Sequence, residues 1–152
     1  METLTIANNI LLPEVARLIS EGKEVVLKTK GNSMLPFITG DRDSVVLIKP
    51  GELSVGDIIL AEIAPGHFVL HRIYAFKEDK IELMGDGNIR GREHCTQNHV
   101  AGKVKEILRE GNVSIDCNSP SQRRKAWIWR YPLFPFRRII LAVRRRVIKY
   151  FF

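Results

Sequence analysis

Between residues 23 and 118 the chain is cut into short runs of β-branched and aliphatic residues, each ended by turn-forming residues. The runs Val25–Thr29, Ser44–Ile48, Asp57–Glu62, His67–Tyr74, Lys80–Met84, Val100–Leu108 and Asn112–Asp116 have the composition and length of strands. The breaks between them carry Gly40-Asp41, Pro50-Gly51, Pro65-Gly66, Gly87-Asn88 and Glu110-Gly111-Asn112, residues suited to tight turns. Many short strands with regular turns restrict this region to a mainly β fold, an all-β sheet or a partly closed barrel.

The flanks read differently. Residues 8–21 predict a short N-terminal helix. Asn8 or Asn9 is placed to cap it, Pro13 falls in the first turn, and Leu12, Val15, Ala16, Leu18 and Ile19 form an apolar stripe ended by Gly22. After Ser119-Pro120-Ser121 the composition changes again. The expected organisation is a helix over residues 1–22, a β-rich domain over 23–118 and a basic, aromatic, helical tail over 119–152. A total of 152 residues, 45% of them hydrophobic, suits one domain with a sizeable core.

Several classes of function are disfavoured by what the chain lacks. It has no run of 18 apolar residues to cross a membrane, and Met1-Glu2-Thr3-Leu4-Thr5 is not the basic start of a cleavable signal peptide. Cys95 and Cys117 are expected as reduced thiols. His94, Cys95 and His99 lack the paired spacing of a zinc site, so no metal or other cofactor is expected. One helix before the β-rich region is too little for a helix-turn-helix DNA-reading domain.

A chemical motif stands at the end of the first predicted strand. Gly31-Asn32-Ser33-Met34-Leu35-Pro36 puts a serine hydroxyl on a turn that a peptide can reach. Three segments follow in order: Leu53-Ser54-Val55-Gly56-Asp57-Ile58-Ile59, Val69-Leu70-His71-Arg72-Ile73 and Met84-Gly85-Asp86-Gly87-Asn88. A serine attacks an amide only when a base takes its proton, and histidine has a suitable pKa. His71, 38 residues after Ser33, is the candidate.

This order of segments, over roughly residues 24 to 106, resembles the signal peptidase I family and its LexA-like autoprotease relatives. Val-x-His-Arg-Ile is similar to the His-type branch, in which histidine replaces the more common lysine base. The resemblance implies a LexA/signal-peptidase-like fold, a Ser33–His71 dyad acting through an acyl-enzyme, and cleavage after small residues of an extended peptide. Gly85-Asp86-Gly87-Asn88 is similar to the family's Gly-Asp-Asn-Asn box, and Asp86 carries over as an orienting or structural acid. A second family aspartate, some six residues on, corresponds to Arg92, with Glu93 beside it. The third catalytic position therefore lies between Asp86 and Glu93.

For the oxyanion hole, the backbone N–H of Ser33 is the natural donor. Gly31 stands where many relatives carry a second, hydroxyl donor, and a backbone N–H or the Asn32 amide is the available substitute. Loss of one such donor costs about 2.7–4 kcal/mol in the transition state.

Each residue also has a plain structural reading. Ser33 can cap a turn, His71 can be an ordinary strand histidine, and Asp86-Gly87-Asn88 is a good hairpin turn. Their joint order carries the functional reading. Among competing bases, His67 shares a strand face with His71, whereas His94 and His99 fall in a polar, solvated loop.

Residues 121–152 hold ten of the 24 Lys and Arg residues and no acid. On a helical wheel, Ile140, Val143, Val147 and Phe151 oppose Arg138, Arg145, Arg146 and Lys149, with Leu141, Ile148 and Phe152 spoiling the division. Trp127, Trp129 and Tyr131 precede them. Basic residues beside aromatics predict contact with an anionic membrane surface or a partner through Trp127, Trp129, Arg138, Arg145, Arg146 and Lys149. The alternatives are packing on the β-rich domain and binding of nucleic acid, which so apolar a tail suits less well.

The sequence thus predicts a serine endopeptidase trimming a leader or precursor peptide, cytoplasmic and peripheral at the inner face of the membrane. Two other readings are a catalytically inactive peptide-binding member of the same fold and a self-cleaving regulator. The last needs a scissile pair ahead of Ser33, and residues 1–32 contain no Ala-Gly or Cys-Gly.

Overall fold

A computed structural model describes residues 2–4 and 8–151. Its nine strands are β1 (Glu2–Leu4), β2 (Val25–Lys28), β3 (Ser44–Ile48), β4 (Ile58–Ala64), β5 (His67–Lys77), β6 (Lys80–Met84), β7 (Glu93–Thr96), β8 (Val100–Arg109) and β9 (Val113–Asp116). Three helices accompany them: α1 (Asn8–Ser20), α2 (Pro120–Arg130) and α3 (Arg137–Phe151). The fold is mainly β, as expected. All seven predicted strands are present, most of them within two residues of their expected ends. Strands β1 and β7 were not anticipated. Strand β1 is only three residues long, and Glu93-His94-Cys95-Thr96 has no alternating apolar pattern to announce it.

The strands form one sheet in the order β1-β2-β3-β8-β4-β5-β6-β7, with β9 beside the far end of β8. Every pairing is antiparallel except β1 with β2. Strand β8 is the organiser. One edge pairs with β3, while the other pairs first with β4 and then with β9.

Two cores explain the strand sequences. Strand β4 is buried on both faces, so it reads as a continuous apolar run rather than an alternation. Its Ile58 and Leu60 face a core shared with α1, β2, β3 and β8, and Ile59 and Ala61 face a second core with Ile73, Ile81 and Leu83. Helix α1 covers the first core with Leu11, Leu12, Val15, Leu18 and Ile19. It ends in a paired cap, with Lys23 N–H bonded to the Leu18 carbonyl (3.1 Å) and Gly22 N–H to that of Ile19 (2.9 Å). Asn8 and Asn9 both fall within the helix, and the residue before them lies outside the described set. Pro13 sits inside the helix rather than in its first turn. The cost is one missing backbone bond, to the carbonyl of residue 9.

The tail is folded onto the β-rich domain. Ser119 caps α2 by accepting from Gln122 N–H (3.2 Å), and Pro120 occupies the first helical turn. Arg123 of α2 ties the helix to the body through Asp57 (2.8 Å). Trp129 and Leu141, 3% and 0% exposed, pack on Leu35, two residues past Ser33 in the chain. Trp129 is therefore a core residue and not the membrane or partner contact expected from its neighbours. The expected helical wheel is also rotated: Leu141 faces inward, whereas Val143 and Val147 face solvent. Phe152 lies outside the described residues.

Candidate active site

Ser33 sits in the irregular turn between β2 and β3, partly exposed at the surface. Gly31 precedes it with φ of +78°, a backbone region that other residues adopt only with strain. The absence of a side-chain donor at position 31 therefore has a backbone cause. The far end of the turn is held by Asp43, which is fully buried. Its carboxylate accepts from Thr39 N–H (2.8 Å) and pairs with Arg42 (2.7 Å), and its carbonyl accepts from Thr29 Oγ1 (2.7 Å). Burial opposes the Asp43 charge, but Arg42 and the Thr39 N–H outweigh it and hold the carboxyl below its ordinary pKa.

His71 lies on β5 and is 7% exposed. Its Nδ1 is hydrogen-bonded to the Glu93 carboxylate on β7. The sheet register explains how two strands separated by β6 can meet. Glu93 is opposite Leu83, and Leu83 is opposite Ile73, two residues from His71 on the same face of β5. The adjoining position after β6 is Gly85, which projects nothing into the gap. A Cβ there would lie 3.0 Å from His71 Nε2 and would overlap the Ser33 carbonyl oxygen. Gly85 thus marks a point that the Ser33 turn and the histidine both border.

Gly87 is equally confined, because a Cβ there would overlap the Asn32 carbonyl oxygen. Its N–H donates to the Ser33 carbonyl (2.8 Å). The Gly-Asp-Gly segment is therefore a docking strip for the Asn32-Ser33 backbone. Neither the Ser33 hydroxyl nor its backbone N–H is engaged in a hydrogen bond among the described residues, and His71 Nε2 is likewise open. The Asn32 side chain is exposed and unpaired there too.

Asp86 takes a different place. It is fully buried and bound by Arg72, with Nε 3.0 Å from both carboxylate oxygens and a second guanidinium nitrogen 2.7 Å from Oδ2. Arg72 also donates to the Gly56 carbonyl (2.7 Å) and lies over the Phe37 ring. Burial disfavours its charge, but Asp86 more than compensates and raises the guanidinium pKa. Of the two acids considered for the third position, Glu93 meets His71 and Asp86 meets Arg72.

The tail fastens the same loop from outside. Trp129 Nε1 donates to the Asp86 carbonyl (2.9 Å), Arg145 to that of Gly87 (3.2 Å) and Arg137 to that of Asn88 (3.1 Å). Arg137 is 1% exposed and sits among the rings of Tyr74, Trp129 and Phe134. These clamps were not foreseen, because charge and aromatic content alone do not distinguish an inward face from a wet one. Asn88, which the sequence places in the family-like box and in a turn without a role of its own, also borders the site. Its side-chain nitrogen lies 2.8 Å from the vacant Cβ position of Gly85, beside His71.

The remaining candidates lie elsewhere. His67 is exposed at the start of β5. His94 is not in a loop but on β7, and approaches Glu82 (3.6 Å). His99 Nδ1 faces Thr96 Oγ1 (2.9 Å). Cys95 and Cys117 are free thiols, and burial pushes the Cys117 pKa up to about 11. Among the tail residues, Trp127, Arg138, Arg146 and Lys149 are exposed, and Arg145 reaches back to Gly87.

Ser33 and His71 open onto a common cavity of about 170 Å³, walled by Leu12, Leu27, Met34, Ile38, Leu60 and Leu70. Two strand ends border it. Lys28–Gly31 extends beyond the pairing of β1 with β2, and His67–His71 extends beyond the pairing of β6 with β5.

A family model described as Peptidase S24-like matches residues 3–105, a span that contains Ser33, His71, Asp86 and Glu93 and ends before α2. No curated protein matches the chain. Because the match covers most of the chain and most of its sheet, this protein belongs to the Peptidase S24-like family, in the LexA and signal peptidase superfamily of serine peptidases.

Proposed function

We propose that this protein is a serine endopeptidase whose triad is Ser33, His71 and Glu93, acting on an extended segment of another polypeptide. The observation that carries the reading is the division of labour around one ring. Glu93 holds His71 Nδ1, and the open Nε2 shares a cavity with Ser33.

Glu93 fixes the tautomer that leaves Nε2 unprotonated and stabilises the imidazolium formed later. With a peptide bound, Nε2 takes the Ser33 proton as Oγ attacks the scissile carbonyl, and the oxyanion is met by the Ser33 N–H. Asn32 and Asn88 are the side-chain amides at hand for a second donor. The imidazolium then returns its proton to the leaving amine. Water, deprotonated by the same nitrogen, hydrolyses the acyl-enzyme.

The edge of His67–His71 that faces away from β4 has no strand beside it among the described residues and suits a peptide added as a strand, and the aliphatic cavity suits a small or aliphatic side chain next to the cleaved bond. Cleavage of another chain is favoured over self-cleavage because residues 1–32 offer no Ala-Gly or Cys-Gly pair.

The test is covalent labelling with a fluorophosphonate, followed by mass mapping. Labelling at Ser33 that disappears in Ser33→Ala and falls strongly in His71→Ala is expected. A folded wild-type chain that takes no label, and cleaves no peptide from a library of extended substrates, would overturn the enzyme reading in favour of a peptide-binding module.

A further inference from the structure

The helix that clamps the catalytic loop with one face leaves another uncovered. Along α3 and the turn before it, Phe136, Ile139, Val143 and Val147 are 55%, 66%, 59% and 37% exposed. Their spacing of three and four residues aligns them in one stripe. Arg137 and Leu141, both buried, point elsewhere, so the stripe is not the core face. Exposed Arg138, Arg146 and Lys149 flank it. On the neighbouring helix Trp127 and Tyr131 are each 52% exposed, with ring centroids 5.6 Å apart.

We propose that α3 is an in-plane anchor that docks this protein on an anionic lipid surface. The apolar stripe would enter the boundary between headgroups and acyl chains, and the flanking cations would lie among the headgroups. Charge selects this occupant. Residues 121–152 contain no acid, and although Arg130 and Arg137 of their ten Lys or Arg are buried, Arg138, Arg146 and Lys149 stand exposed beside the stripe, so the face complements an extended sheet of negative charge. Nucleic acid would satisfy the cations but has no use for solvent-facing Ile139 and Val143. A second copy of this chain would bring the same positive face and repel it. Among the described residues no helix is long and apolar enough to cross a membrane, so this contact lies on the bilayer and does not span it. The contact set differs from the one the sequence suggested. Trp129 is buried and Arg145 is occupied at Gly87, whereas the exposed aliphatic stripe takes over the insertion.

The experiment is co-sedimentation of the full chain with vesicles of phosphatidylcholine alone and of phosphatidylcholine mixed with phosphatidylglycerol. The readout is independent of peptidase activity. Binding is expected only to the mixed vesicles, weakening as salt is raised. Ile139→Asp with Val143→Asp should lower the apparent affinity by about tenfold or more. Arg138→Glu with Arg146→Glu and Lys149→Glu should do the same. These side chains are exposed, so circular dichroism should show both variants folded. Four outcomes would each overturn the proposal: no binding to the mixed vesicles; equal binding to neutral ones; undiminished binding of the aspartate variant; or self-association that the aspartate variant abolishes without any vesicle binding.

Discussion

Glu93, on the terminal strand β7, reaches His71 on β5 across a position that has no side chain, Gly85. Asp86, the residue after Gly85, is spent on Arg72 of β5. Two carboxylates close in sequence thus serve different purposes, one bonded to the histidine and one buried against Arg72.

Separate variants distinguish the two acids. Glu93→Gln should leave thermal stability nearly unchanged and lower kcat by about 10²–10⁴-fold, because the histidine loses the charge that orients and stabilises it. Asp86→Asn should instead destabilise the fold by about 3–5 kcal/mol, since Arg72 would remain buried without its counter-charge. Thermal melts alongside peptidase assays check both. Equal activity loss from the two variants at equal stability would contradict the division.

Gly85→Ala puts a methyl group against the Ser33 carbonyl and 3.0 Å from His71 Nε2. Overpacking of this kind costs about 1–3 kcal/mol of stability. Activity should fall far more, because the displaced atoms are the turn that carries Ser33 and the His71 nitrogen proposed as its base. Ser33 labelling rates, compared with chemical denaturation curves, separate the two effects.

The tail is expected to behave as part of the protein's core. Leu141→Ala should cost about 2–5 kcal/mol through the cavity it leaves against Leu35 and Trp129. Trp129→Phe keeps most of the ring packing and deletes the hydrogen bond to the Asp86 carbonyl, a loss of about 1–3 kcal/mol for a buried acceptor left unpaired. Denaturant unfolding of each variant gives these values. A tail that could be altered at Leu141 without loss would contradict the packing.

Asp43 should supply an acid-sensitive share of the stability. Its folded pKa is depressed, so the contribution is complete above the unfolded carboxyl value of about 3.9. It declines as the pH falls from there toward the lower folded value, and below that it is gone. Asp43→Asn should therefore be less stable than wild type at pH 7, with the gap narrowing once the pH falls below about 4. Unfolding curves across pH 7 to 3 test the slope.

The local pattern carried most of the sheet, because strand formation in Val25–Lys28 or Ser44–Ile48 depends on side chains that alternate or run apolar within a few residues. It also carried Ser33 and His71, which stand in family-like segments. The same local view could not choose between Asp86 and Glu93. That choice depended on which strand β7 paired with, and a four-residue edge strand leaves no periodic trace. Nor could it tell which face of α3 would be buried. Trp129, Arg137 and Arg145 have side chains that are at home in water, at a membrane or stacked inside a protein. Only when α2 and α3 fold back over Leu35 do three of their donors meet the carbonyls of Asp86, Asn88 and Gly87. Composition and periodicity depend on neighbours along the chain, whereas the partner of a long polar side chain depends on what folding brings within three ångströms of it.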